Sequence, residues 1–166
     1  MPDVYFYILS LMYIRIIEYI LRKESLSVYM EKWPVSDLNK MREKVKSLRV
    51  LIVDDEEDIR RVTSGFMKKF FDDVDCAENG VMALEMIEVD EPYDIVLTDM
   101  QMPKMKGDIL AQQIAKIDES VFIAIMTGSP IDDIDSVKNC DMYLPKPIGI
   151  DEMFNMIDML IMKKDL

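Results

Sequence analysis

From residue 50 to residue 163 the chain alternates short apolar runs with amphipathic stretches, and this alternation constrains its fold more than any other feature. The apolar runs lie at 50–53, 74–77, 95–98, 121–126 and 142–144. Most are too uniformly apolar to keep one face in water, as expected of strands covered on both sides. Helical patterns fall between and after them, at about 57–71, 80–88, 107–117, 131–138 and 151–163. Strand and helix in strict alternation imply right-handed crossovers, a parallel sheet and helices on both faces. No Gly-x-Gly-x-x-Gly or Gly-x-x-x-x-Gly-Lys pattern follows any strand, which argues against a nucleotide cradle.

Charge divides the chain unevenly. Residues 1–48 hold 8 basic and 6 acidic side chains, a balance of +2, whereas residues 49–166 hold 12 and 26, a balance of −14. This places a boundary between an N-terminal extension, 1–47, and an α/β domain, 48–166. A net charge of −12 disfavours nucleic acid as a partner, because phosphates would be repelled. The sequence contains no histidine, so imidazole bases, His-containing zinc sites and phosphohistidine carriers are excluded. Cys76 and Cys140 have no metal-ligand spacing and read as buried thiols of a reduced compartment.

Carboxylates, hydroxyls and lysines must therefore carry any chemistry. Asp54-Asp55 follow the first strand and Asp99 the third, so all three carboxylates belong to the carboxyl edge of the sheet, where open α/β folds bind ligands. An Asp after a strand is often only the cap of the next helix, but three at two strand ends are harder to explain that way. Two unit charges at 4 Å repel by about 4 kcal/mol at an effective dielectric of 20. A cation or protons must offset that repulsion, and among cations a few hard oxygens in an open site suit Mg²⁺ better than a caged Ca²⁺. Thr127 ends the fourth strand, where its hydroxyl can donate to a phosphoryl oxygen, and Gly128 leaves the backbone accessible. Lys146 follows the fifth strand, where its ammonium can pair with a carboxylate or an arriving phosphoryl group.

The stretches Leu51-Ile-Val-Asp-Asp-Glu-Glu57, Leu97-Thr-Asp-Met-Gln-Met-Pro-Lys-Met-Lys-Gly107, Met126-Thr-Gly128 and Tyr143-Leu-Pro-Lys-Pro147 closely resemble the receiver domains of two-component response regulators. Four motifs in the right order make the likeness specific, and it covers about residues 48–164. The resemblance implies a flavodoxin-like receiver fold with strand order 2-1-3-4-5. It implies that Asp99 accepts a phosphoryl group from a histidine kinase or histidine phosphotransfer protein. Asp54, Asp55, Asp99 and the main-chain carbonyl of Gln101 would hold Mg²⁺. Thr127 and Lys146 would bind the phosphoryl oxygens, and Thr127 and Tyr143 would act as the switch, although Tyr143 reads equally well as a half-buried strand aromatic. Such a chain is a phosphoacceptor with Mg²⁺-dependent self-phosphorylation and autodephosphorylation rather than an enzyme. Met102-Pro103 and Gly107 resemble the loop leading into the following helix, and Lys146-Pro147 the family's cis peptide.

Two features depart from the family pattern. Asn139 stands where glycine is usual, a mild change because Asn tolerates a left-handed turn. The stretch from Thr127 to Lys146 is a few residues short, so the helix at 131–138 should be short or irregular. This bears on the downstream partner, because that helix, the strand at 142–144 and the helix at 151–163 form the family's docking face. Gln101 and Ser129 resemble the variable positions that influence hydrolysis of the aspartyl phosphate. A haloacid-dehalogenase-like phosphatase would need a second Asp two residues after the nucleophile, and Gln101 occupies that place. A receiver-like module that binds a partner without phosphorylation is the other alternative. No output domain is recognisable after the last helix.

Residues 4–21 are almost continuously apolar, interrupted by Ser10, Arg15 and Glu18. They are short for a spanning helix and carry two charges. Neither a basic start nor a small-residue cleavage site marks a secretory signal. Three expectations stand: a helix that packs on the domain or on a second copy, an anchor lying in a membrane interface, or sequence upstream of a start at Met30 or Met41. The protein is accordingly expected to be cytoplasmic, with peripheral membrane contact through 4–21 as one alternative. Pro34 makes the segment at Trp33-Pro34 read as a break.

Overall fold

A computed structural model describes residues 34–89, 91–128 and 139–166. The expectations placed on 4–21, on Trp33, on Ser129 and on the helix at 131–138 lie outside the described residues. The chain divides into two compact units, Met1–Glu43 and Lys44–Leu166. Helix α1, Val35–Val45, begins directly after Pro34, whose carbonyl accepts from the N–H groups of Asp37 at 2.9 Å and Leu38 at 3.1 Å. The break at Pro34 is thus a helix start, which proline favours because its missing N–H is not needed there. Residues 41–45 belong to this helix.

The second unit contains β1 Arg49–Val53, α2 Glu57–Met67, β2 Asp73–Ala77, α3 Gly80–Val89, β3 Ile95–Asp99, α4 Gly107–Ile117, β4 Phe122–Thr127, β5 Met142–Pro145 and α5 Ile150–Lys164. The strands form one sheet in the order β2-β1-β3-β4-β5, and every neighbouring pair is parallel. The parallel sheet is the one expected from the alternation, and its order is the flavodoxin-like one that the resemblance implied. Strands β1, β3 and β4 are buried almost throughout, which explains their unbroken apolar runs. On one face, Leu51, Val53, Val96, Ile123 and Ile125 join Ala83 of α3 and Leu110, Ala111 and Ile114 of α4 in a single core. On the other, Phe66 of α2, Phe70 and Phe154 of α5 pack in tilted and edge-on pairs with ring centroids 5.6–5.9 Å apart.

Helix α2 stops four residues before its periodicity does. The N–H groups of Lys69 and Phe70 turn to carbonyls three residues back, Phe66 and Met67, both at 2.9 Å, and this tightened turn ends the helix. Phe70 and Phe71 are then carried into the core. The thiols also differ from expectation: Cys76 and Cys140 are free but only partly buried, because one lies on the edge strand β2 and the other just before the edge strand β5.

Ion pairs gather towards the amino ends of the strands. Arg49 pairs with Asp73 at 2.7 Å and Asp75 at 3.0 Å, and its guanidinium lies 4.5 Å from the ring centroid of Tyr93. From α5, Lys163 reaches Asp141 at 2.9 Å and Lys164 reaches Asp94 at 3.0 Å. Both lysines sit in the last turn, where positive charge also suits the helix dipole.

Candidate functional site

The carboxyl ends of β1, β3, β4 and β5 all point the same way, so parallel pairing alone brings Asp54, Asp99, Thr127 and Lys146 to one edge. Asp54 follows Val53, Asp99 closes β3 in register with Met126, and Thr127 closes β4 in register with Pro145. The main-chain N–H of Lys146 donates to the carbonyl of Thr127 at 2.7 Å, extending the ladder one step past Pro145. The Lys146–Pro147 peptide is cis, as the resemblance implied, and Asn139 has φ 77°, the left-handed turn that its departure from glycine required.

Asp54 is completely buried, and Asp99 and Thr127 are 6% and 2% exposed. Carboxylates so far from water require partners. Lys146 Nζ supplies one to each, 2.9 Å from Asp54 Oδ2 and 2.7 Å from Asp99 Oδ1. The remaining oxygens take main-chain donors: Glu56 N–H to Asp54 Oδ1 at 2.9 Å, and Gln101 N–H to Asp99 Oδ2 at 3.0 Å. Burial works against the charge on Lys146, but hydrogen bonds and the charges of Asp99 and Asp54 outweigh it and raise the ammonium above its ordinary value.

Asp55 stands apart, exposed at the rim with Glu56, Glu57 and Asp58. Among the described residues no three His, Cys, Asp or Glu side chains are grouped to hold a metal ion. The structure therefore brings two of the expected metal-binding carboxylates to a single cation, which is Lys146, and leaves the third, Asp55, exposed. Hard carboxylate oxygens match the chemistry of Mg²⁺, which retains waters and takes few protein ligands.

The loop from Met100 to Lys106 is held tightly. Gly107 N–H donates to the carbonyl of Met100 at 3.0 Å, and Met105 N–H donates to that of Pro103 at 2.8 Å, a γ-turn with Lys104 at φ 66°. A Cβ on Gly107 would collide with the carbonyl oxygen of Asp99, so only glycine allows α4 to begin this close to the acid. A Cβ on Gly128 would meet nothing within 4 Å, leaving space beside Thr127.

Tyr143 is half-buried against the core that contains Ile125, its partner in β4. Burial, reinforced by donation from its hydroxyl to the thiol of Cys140, holds its pKa well above the usual tyrosine range. Neither that bond nor the role of Arg60 was legible in sequence. Arg60 donates to the main-chain carbonyl of Asp54 at 2.7 Å, whereas Arg61 pairs with exposed Asp58 at 3.0 Å.

The family model of the response regulator receiver domain matches residues 50–158, so the chain belongs to the response regulator receiver domain family of two-component signalling. It is 30% identical over 117 residues to the response regulator receiver protein CpdR of Brucella abortus, covering 68% of this chain and 96% of that one. It is 30% identical over 128 residues to the response regulator MprA of Mycobacterium ulcerans, covering 72% of this chain and 53% of that protein. Against Histidine kinase 3 of Arabidopsis thaliana the match is 34% over 83 residues, 50% of this chain but 8% of the kinase. The chain thus spans only part of several relatives that it matches.

Among solved structures, a receiver domain from Clostridium thermocellum matches with a TM-score of 0.65 at 26% identity, covering 72% of this chain and 98% of that one. TrrA from Thermotoga maritima, solved in complex with Mg(2+)-BeF, matches with a TM-score of 0.62 at 29% identity, covering 69% and 99%.

Proposed function

We propose that Asp99 is the phosphoacceptor of this receiver and takes its phosphoryl group from a histidine kinase or histidine phosphotransfer protein. The observation that carries this reading is the placement of one ammonium, Lys146 Nζ, within 2.9 Å of Asp54 and 2.7 Å of Asp99 in an otherwise buried acidic site. An oxygen of Asp99 attacks phosphorus, the new P–O bond forms as the P–N bond to the donor imidazole breaks, and the imidazole leaves. Lys146 is already in place to pair with a phosphoryl oxygen, and Thr127 offers its hydroxyl from the end of β4. Gln101 N–H and Lys146 fix the Asp99 carboxylate before attack, and catalysis by such positioning and charge neutralisation is what phosphoryl transfer needs. Asp54, Asp55, Asp99 and the Gln101 carbonyl would hold Mg²⁺, which when bound neutralises charge on the transferring group. Self-phosphorylation and autodephosphorylation both belong to this reading.

Residues 48–166 are the receiver in this proposal, and 1–47 lie outside its chemistry. The signal is a shift of Thr127 and Tyr143 that alters the face formed by β5 and α5, where a downstream protein docks. Among the described residues no helix is long and apolar enough to cross a membrane. We place the protein in the cytoplasm, where its phosphodonor would be.

The test is incubation with acetyl phosphate and Mg²⁺, read by intact-mass spectrometry. Wild type should gain one phosphoryl group and Asp99→Asn none. Undiminished labelling of Asp99→Asn would overturn the assignment.

A further inference from the structure

Residues 55–58 are all acidic, yet Arg60 pairs with none of them. Among the described residues its guanidinium makes no ion pair and instead donates to the main-chain carbonyl of Asp54 at 2.7 Å. Arg61 shows the ordinary alternative, an ion pair with Asp58 between side chains 74% and 88% exposed. A charge-assisted bond to a main-chain carbonyl, formed where carboxylates are available next door, is a geometric commitment.

That carbonyl belongs to the peptide unit joining Asp54 to Asp55. It lies just past Val53, the last residue of β1 registered against β3. The same turn is closed from the other side by Glu56 N–H on Asp54 Oδ1 at 2.9 Å. With Asp54 held at its carboxylate by Glu56 and Lys146, its carbonyl is the remaining handle on the plane of the next peptide. That plane sets the direction in which exposed Asp55 leaves the chain.

We infer that Arg60 is a positioning residue that fixes the Asp54–Asp55 peptide, presenting the Asp55 carboxylate beside Asp54 and Asp99 for a divalent cation. It acts on cation affinity and takes no part in attack by Asp99. The inference rests on the phosphoacceptor reading for its purpose, but its first test does not.

The full-length protein is titrated with MgCl₂ in a calorimeter as wild type, Arg60→Ala, Arg60→Lys and Arg61→Ala. Groups that orient metal ligands are worth about 10–100-fold in affinity, so Arg60→Ala should raise the Mg²⁺ Kd by about tenfold or more. Arg61→Ala should leave it unchanged, and Arg60→Lys, which keeps a charged donor, should recover part of the loss. Labelling by acetyl phosphate should slow in Arg60→Ala at low Mg²⁺ and return to the wild-type rate once Mg²⁺ saturates the variant. Should Arg60→Ala fail to fold, Arg60→Lys and Arg60→Gln carry the same comparison. Equal Kd values for Arg60→Ala and Arg61→Ala, or a rate deficit that persists at saturating Mg²⁺, would overturn the proposal. Absence of labelling in wild type would instead overturn the phosphoacceptor reading, leaving the calorimetric result to judge Arg60 alone.

Discussion

Asp54 has no exposed surface, and its Oδ2 is 2.9 Å from the Nζ of Lys146, a residue 92 positions further along the chain. The same ammonium holds Asp99 at 2.7 Å. Removing one partner from a buried charge cluster typically costs about 3–5 kcal/mol, because the remaining charge is stranded. Lys146→Met should therefore destabilise the metal-free protein by about that much in urea denaturation. Mg²⁺ should restore more stability to the variant than it adds to wild type, since the cation no longer competes with an ammonium for the carboxylates. A smaller Mg²⁺ effect in Lys146→Met would show that the lysine does not stand in for the metal.

The raised pKa of Lys146 gives this contribution a defined pH window. A lysine whose folded pKa exceeds its unfolded value adds stability that is complete below the unfolded value, here 10.5, and is lost as pH rises through the folded one. Tyr143, also raised, acts in the same alkaline range, but its effect is common to wild type and Lys146→Met and cancels in the difference. The stability gap between the two proteins should stay flat from neutral pH to about pH 10 and narrow only above it. Narrowing at neutral pH would contradict the pairing.

Gly107→Ala should reach Asp99 through the backbone. The new methyl meets the Asp99 carbonyl, which is main chain at the end of β3 and cannot swing aside as a side chain would. Overpacking of this kind costs about 1–3 kcal/mol. Labelling by acetyl phosphate should slow as well, because moving that carbonyl moves the carboxylate it carries. Wild-type stability and rate in Gly107→Ala would mean that the loop is softer than its hydrogen bonds indicate.

Cys140→Ala should remove the thiol to which the hydroxyl of Tyr143 donates, without exposing the ring. The pKa of Tyr143 should fall but remain above 10, because burial is the larger cause of its rise. Ultraviolet titration of Cys140→Ala, differenced against the double variant with Tyr143→Phe, isolates this one tyrosine. An unchanged titration would remove the thiol as its acceptor.

The sheet was legible because β1, β3 and β4 are buried on both faces and so keep unbroken apolar runs. The acidic edge was legible because parallel strands place their carboxyl ends together, whatever the loops do. Contacts decided by three-dimensional direction were not. Arg60 and Arg61 are adjacent and chemically identical in sequence, and only the turn of α2 gives one to the Asp54 carbonyl and the other to Asp58. The early end of α2 was hidden because Phe70 and Phe71 continue the apolar periodicity while a tightened turn redirects them inward. Asp55 looked like an equal partner of Asp54, but both lie in the turn past the end of β1, which buries one and exposes the other.

The ion pairs of Arg49, Lys163 and Lys164 give the domain two electrostatic ends of opposite character. Near the amino ends of the strands, attraction binds Asp73, Asp75, Asp94 and Asp141 to cations, whereas at the carboxyl edge Asp55, Glu56, Glu57 and Asp58 crowd together, and among the described residues Asp58 alone of these has an ion-pair partner, Arg61. Added salt screens both, so it loosens the first end and relieves the second. The melting temperature sums both responses to ionic strength and does not separate them. Amide exchange resolved along the chain should register ionic strength twice with opposite sign, faster at the start of β1 and slower in the turn after it.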